Sequence, residues 1–308
     1  MNKLRSILLI LISSLLLTVC SRQSPSKEEL LIAVSIPPQA WFVSRIAEDK
    51  AQVLILVESG QNPHNYEPTP RQISDLVQAK SWILSGTEFE ISLRPKIESL
   101  FPALPVIDGT AGVVFRKQEE HDHDDDDEDE DDDEDESDLS QHEIDRHTWL
   151  GREPAKILAA HIKDTLCVID PERAEQYSAN YQVLVEEIDA EFAALRQELA
   201  PLRGGNVFVY HPSFGYFLDE FDIRQQAVET GGKSPGPRDL SRLIALAKQE
   251  QPAAIFVQSQ FPVSAAKTVA DAVSAELISL DPLAADWLVN IRLMGEALKT
   301  TIKQKNDL

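Results

Sequence analysis

Short apolar runs alternate with helical patterns twice in this 308-residue chain, once on each side of a single long helical stretch. In the first half, the runs over 31–35, 52–57, 82–85 and 105–107 read as strands, and helices are expected over 38–49, 71–79 and 88–100. In the second half, strands are expected over 206–210, 223–228, 253–257 and 276–280, with helices over 214–221, 238–251, 264–274 and 284–303. Alternation of this kind leads to mostly parallel sheets with helices on both faces. Between the halves, Tyr177, Tyr181, Leu184, Ile188, Phe192 and Leu195 recur at helical spacing. Asp170 and Pro171 suit a helix start, and Pro201 with Gly204-Gly205 ends the pattern. A helix over 170–202 would run roughly 45 Å at about 1.5 Å per residue, long enough to join two lobes as a strut. The expected fold is therefore α/β: two similar lobes with mostly parallel sheets, joined by one long rigid helix.

The ends of the apolar runs carry the chemistry. His211 follows Asn-Val-Phe-Val-Tyr, and Asp281 follows Glu-Leu-Ile-Ser-Leu. His64 lies on a loop containing Gly, Asn and Pro just past the run 53–57, and His147 opens a second ordered stretch, His-Thr-Trp-Leu-Gly. Ligands in open α/β sheets bind beyond the carboxyl ends of the strands. Convergence of His64, His147, His211 and Asp281 there would form an N,N,N,O site suited to zinc. Asp145, two residues before His147, is placed to orient that imidazole.

The rest of the chain bounds the setting. The formal net charge is −23, which argues against a nucleic-acid partner. Most of the excess is local: 17 acidic residues and no Lys or Arg lie between 119 and 138, and without them the charge is about −6. A loop over 116–141 is expected to be disordered, because it cannot bury apolar area. It could serve as a solubilising segment, a weak collector of cations (with His121 and His123), or a contact for a membrane partner. Residues 1–20 read as an export signal, with Lys3 and Arg5 ahead of a short apolar stretch. Leu17-Thr18-Val19-Cys20 has the shape of a lipidation site at Cys20, with Val19 where a small residue is usual, so ordinary cleavage near Cys20 is the alternative. Residues 21–29 would be a tether, 30–169 the first lobe, 170–202 the linking helix and 203–308 the second lobe. Cys20 and Cys167 are the two cysteines, and Cys167 is expected to be a buried thiol without a disulfide partner.

Several motifs in order carry a family resemblance. Asn62-Pro63-His64-Asn65-Tyr66-Glu67-Pro68, Asp145-Arg146-His147-Thr148-Trp149-Leu150, His211-Pro212-Ser213-Phe214-Gly215-Tyr216-Phe217, Glu229-Thr230-Gly231-Gly232-Lys233 and Asp281-Pro282-Leu283 follow one another along the chain. Together they resemble the zinc-specific solute-binding proteins of ABC metal-uptake transporters, and the similarity covers essentially everything from residue 31 onward. The resemblance implies a receptor rather than an enzyme. It implies Zn(2+) as cargo, an ABC permease in the inner membrane as partner, and a monomer that is periplasmic or lipid-anchored outside the cytoplasmic membrane. It also implies limited hinge motion, and His211 at the third ligand position favours zinc over manganese. A manganese receptor of the same fold is the nearest alternative; a zinc hydrolase is the rival from another class, although no HExxH-type motif is present. One departure from the family pattern is Gln258-Ser259-Gln260-Phe261, where a Glu followed by Pro is common.

Overall fold

The computed structural model describes residues 30–117, 144–229, 236–261 and 264–306. The expected export signal, the tether, nearly all of the acidic loop and its histidines lie outside the described residues.

Two four-stranded parallel sheets make up the architecture. In the first lobe, β1 (Leu30–Val34), β2 (Ala51–Ile55), β3 (Ser81–Leu84) and β4 (Val106–Asp108) are ordered β2-β1-β3-β4. In the second, β5 (Asn206–Val209), β6 (Arg224–Ala227), β7 (Ala254–Val257) and β8 (Glu276–Ser279) are ordered β6-β5-β7-β8. The two sheets share one connectivity, so equivalent strand ends face the same region. The first lobe's helices are α1 (Pro37–Ala47), α2 (Pro70–Leu76), α3 (Glu88–Leu100) and α4 (Arg152–Ile169). The connecting helix is α5 (Ala174–Glu198), and α6 (Gly215–Asp219), α7 (Pro237–Glu250), α8 (Ser264–Val273) and α9 (Trp287–Asn306) complete the second lobe.

The connecting element is shorter than the sequence pattern suggests. Single 3-10 turns, Pro171–Arg173 and Ala200–Leu202, flank α5. Pro171 and Pro201 lack the amide that would continue regular α-helical bonding through those turns. The 25 residues of α5 give roughly 37 Å at about 1.5 Å per residue. One face of α5 buries Tyr177, Leu184, Ile188, Phe192 and Leu195 against α1 and α4 on one side and α9 on the other. These residues belong to one hydrophobic cluster that runs from the first sheet through α5 into one face of the second sheet. The opposite face of the second sheet is covered by α7 and α8 through a separate cluster around Phe208, Tyr210, Ile255 and Val269. The interior is thus continuous across the junction of the lobes, which resists wide hinge opening.

The loop ends are fixed locally. Thr69 and Gln72 form a capping box at the start of α2, where Pro70 occupies the first turn. Gln72 Nε2 and the Tyr66 hydroxyl both donate to Leu56 O, at 2.9 and 2.6 Å, tying the loop of His64 to the chain just past β2. Two residues expected to be part of a disordered segment are ordered: Lys117 pairs antiparallel with Ile144, and Arg116 is held by ion pairs. Cys167 is a free, half-buried thiol on α4 rather than a fully buried one.

Candidate metal centre

Three imidazoles converge between the lobes. His64 sits in a 3-10 turn, Pro63–Asn65, whose first amide bond is made by Asn62 Oδ1 accepting from His64 N at 3.0 Å. His147 precedes the turn Thr148–Leu150, which leads into α4. His211 lies two residues past the end of β5. Their ligating nitrogens lie within 4.8 Å of one another. His64 Nε2 is 2.9 Å from His211 Nε2, which is 3.3 Å from His147 Nε2. With Zn–N bonds of about 2.0–2.1 Å, a tetrahedral zinc places its ligand nitrogens about 3.3 Å apart, so the spacing suits a single ion.

The other nitrogen of each ring faces a carboxylate. His64 Nδ1 is 2.9 Å from Glu88 Oε2, His147 Nδ1 is 2.9 Å from Asp145 Oδ1, and His211 Nδ1 contacts Glu229 Oε1. At His147 and His211, where Nδ1–H donates to the carboxylate, Nε2 keeps its lone pair for a cation, and at His64 the Glu88 carboxylate stands beside Nδ1 as a charge partner. The strand ends account for the pairing. Glu229 lies two residues past β6, which is paired with β5, so it reaches the neighbouring His211. Glu88 opens α3 just beyond β3, where the first turn of a helix favours negative charge.

Burial divides the three rings. His147 and His211 are buried, and His64 is a quarter exposed, so the ion would enter from the His64 side. Burial, and then the neighbouring His147 and His64, push His211 well below the ordinary value of 6.5. At Glu88, burial acts to raise the carboxyl, but the hydrogen bond and charge of His64 outweigh it and hold it down to about 2. Asp145 is likewise held below its ordinary value, because His147 and Arg116 together outweigh the effect of burial. The centre therefore sets the unprotonated His211 ring among imidazoles backed by anions, an arrangement that favours a small cation.

The supports of His211 explain the departure noted after β7. Gln258 is fully buried; its Oε1 accepts from His211 N at 3.2 Å, and its Nε2 donates to His211 O at 2.8 Å and Ser213 Oγ at 2.9 Å. Its amide grips the backbone of the ligand from both sides, which a carboxylate, having no donor, could not do. Phe261 stacks on the His211 ring with centroids 4.4 Å apart.

Asp281 is placed two residues past β8, as His211 is past β5, but it is not in the imidazole group. Its Oδ1 accepts from Gln260 Nε2 at 2.8 Å and from Leu283 N at 2.9 Å. Sequence reasoning placed Asp145 behind His147 and missed Glu88 and Glu229 in the same role. The available signals were their positions shortly after expected strands and, for Glu229, its place at the head of a family motif. Trp149, Phe214 and Tyr216 are buried. Tyr216 also joins the lobes: its hydroxyl donates to Asp145 O at 2.9 Å, and burial pushes that hydroxyl up to about 12.

Comparison with known proteins gives the family. The family described as zinc-uptake complex component A, periplasmic, matches residues 32–301. The high-affinity zinc uptake system protein ZnuA of Brucella abortus is 30% identical over 304 residues, covering 90% of this chain and 91% of the relative. The zinc-binding lipoprotein AdcA of Streptococcus pneumoniae is 24% identical over 281 residues; the match covers 90% of this chain and 55% of AdcA, so the chain spans about half the length of that relative. A crystal structure of ZnuA superposes with a TM-score of 0.78 at 29% identity, covering 89% of this chain and 99% of that one. The family match runs through both lobes, and both lobes supply imidazoles to the centre: the chain belongs to the periplasmic zinc-uptake component A family, the ZnuA-like solute-binding proteins.

Proposed function

We propose that the protein captures Zn2+ outside the cytoplasmic membrane and delivers it to an ABC permease for import. The observation that carries this reading is the convergence of His64, His147 and His211 by Nε2, with a carboxylate behind each ring. Two imidazoles come from the first lobe and one from the second, so metal loading tightens the contact between them. A permease can then distinguish the loaded form by the resulting shift in population. Asp281 is the proposed fourth ligand; its Oδ1 carries the bonds from Gln260 and Leu283, so Oδ2 is the oxygen it would offer the ion. Export by the N-terminal signal, with or without acylation at Cys20, is part of the same proposal. The carboxylates on the three imidazoles are engaged by those rings, which leaves none of them as the general base that a zinc hydrolase would need.

Zinc rather than manganese is the proposed cargo. Imidazole donors suit zinc, and manganese stands lowest in the affinity order of the divalent first-row metals. Competition titration of the mature protein with equal Zn2+ and Mn2+ is expected to yield protein loaded with one zinc. Retention of manganese under those conditions would assign the receptor to that metal instead.

Acid should unload the centre. A protonated imidazole cannot ligate, and each ring that must lose a proton costs about tenfold in apparent affinity per pH unit below its pKa. His211 carries no proton near neutrality, since its pKa is depressed. Glu88 and Asp145, both held low, stay ionised through the mildly acidic range, so they do not contribute to the loss there. Zinc affinity is therefore expected to fall as the pH is lowered from 8 to 5, because protons compete with the ion for the ligating nitrogens. Titrations at pH 8, 7, 6 and 5 check this; an affinity unchanged at pH 5 would rule out ligation by imidazole.

A further inference from the structure

Arg116 lies directly behind one of the metal-binding imidazoles and bridges the two lobes. Its Nη1 donates to Asp145 Oδ2 at 2.8 Å, while Asp145 Oδ1 holds His147. Its Nε donates to Asp219 Oδ2 at 3.0 Å, and Asp219 closes α6 in the second lobe. One planar guanidinium thus joins a carboxylate from each lobe, a geometry that a lysine ammonium does not reproduce. Tyr216 repeats the junction through the backbone, its hydroxyl accepting from Arg116 N at 3.0 Å and donating to Asp145 O at 2.9 Å. Asp145 N also donates to Arg116 O at 3.0 Å. Residue 215 leaves room for the guanidinium only because it is glycine: a Cβ there would stand 1.8 Å from Arg116 Nη1 and 2.8 Å from Asp145 Oδ2. The Asp145 side chain is 1% exposed and that of Arg116 15%, so bulk water does not substitute for either.

We infer that Arg116 is a positioning residue for zinc capture, which sets His147 through Asp145 and ties that setting to the second lobe through Asp219. The inference rests on the receptor reading above. Without the guanidinium, Asp145 would lose its charge partner at a buried site, where an ionised oxygen is costly to leave without its donor. Its carboxylate would then turn away, and His147 would lose the partner that fixes its tautomer. The alternative is a clip that contributes stability alone.

The test uses the full mature chain with Zn2+ and Co2+ as probes. Zinc affinity by chelator competition, melting of the metal-free protein and visible absorption of the Co2+-loaded protein are measured for wild type, Arg116→Ala, Arg116→Lys, Asp145→Asn, Asp219→Ala and the double variant Arg116→Ala with Asp145→Asn. Arg116→Ala is expected to weaken zinc by about 10–100-fold and to shift the Co2+ bands in the same direction as Asp145→Asn. The double variant should be no weaker than the weaker single, because the two residues act in series. Asp219→Ala should weaken zinc, and an unchanged affinity there would overturn the tie to the second lobe. Arg116→Ala binding zinc within about twofold of wild type, or a double variant showing additive losses, would overturn the inference. A lowered melting temperature with intact affinity would leave only the clip and also overturn it. If Arg116→Ala does not fold, Arg116→Lys carries the test, since it removes the planar guanidinium and leaves Asp145 in place. Failure of the wild type itself to hold zinc would instead defeat the receptor reading.

Discussion

Replacing His211 with alanine is expected to weaken zinc binding by more than about 100-fold, while Asp281→Ala costs about tenfold or less. His211 is the only imidazole in the centre that comes from the second lobe, and its Nε2 lies within reach of both others. Its loss removes a ligand outright, which should exceed the roughly 10–100-fold that loss of an outer partner costs. At about 1.4 kcal/mol per factor of ten, the expected change is more than about 2.8 kcal/mol in binding. The fold should tolerate the change, because Gln258 grips the backbone N and O of residue 211 and not its ring. Asp281 differs in kind. Three imidazoles and a water already complete a tetrahedral zinc site, and the Asp281 carboxylate is engaged by Gln260 and Leu283. Chelator-competition titrations of the two variants, with melting curves of the metal-free proteins, make the comparison. Equal losses in both would establish Asp281 as an obligatory fourth ligand. A His211→Ala protein that still binds one zinc at wild-type affinity would dismantle the proposed centre.

The legible parts of this molecule are those that one segment can announce by itself. The eight described strands stand close to their expected places, and the most legible, such as β3, β5 and β7, are buried strands that read as runs of apolar residues, whereas β6 is Arg-Gln-Gln-Ala between apolar neighbours. The three imidazoles were legible because each follows such a run or opens an ordered stretch, and strand ends are where α/β sheets bind ligands. The partners behind them were less so. Asp145 is two residues from His147, but Glu88 and His64 are brought together by separate loops, and Glu229 meets His211 through the pairing of β5 with β6. Arg116 looked like the start of an acidic, unstructured segment; its order depends on Asp219 and Tyr216, a hundred residues further on. The linking helix was read as unbroken because its apolar spacing is, while the prolines that convert its ends into 3-10 turns sit within two or three residues of the helical pattern.

Trp287→Ala is expected to be the most damaging single change to the fold, at about 3–5 kcal/mol, the range for truncating a buried tryptophan. Trp287 has no exposed surface, and its ring packs against Trp41 and Phe42 of α1 and Phe192 of α5, with centroids 5.6, 5.0 and 6.4 Å away. Its Nε1 donates to Trp149 O at 2.6 Å, and Trp149 Nε1 donates to Pro282 O at 2.8 Å. First lobe, connecting helix and second lobe therefore meet at one side chain, and alanine there would leave a cavity and take the donor from a buried carbonyl. The melting temperature should drop by roughly 10 °C, given about 2–4 °C per kcal/mol for a unit of 150–250 residues. Saturating zinc should restore part of the loss, because a ligand that binds only the folded form stabilises it by mass action. A drop of less than about 3 °C would mean that the junction carries little of the stability. The shape of the transition decides a further point: a core continuous through α5 calls for one cooperative melt, in the wild type as in the variant. Two separate melts in the metal-free wild type would mean that the lobes fold independently, and that their contact at Trp287 is a docking surface rather than a shared interior.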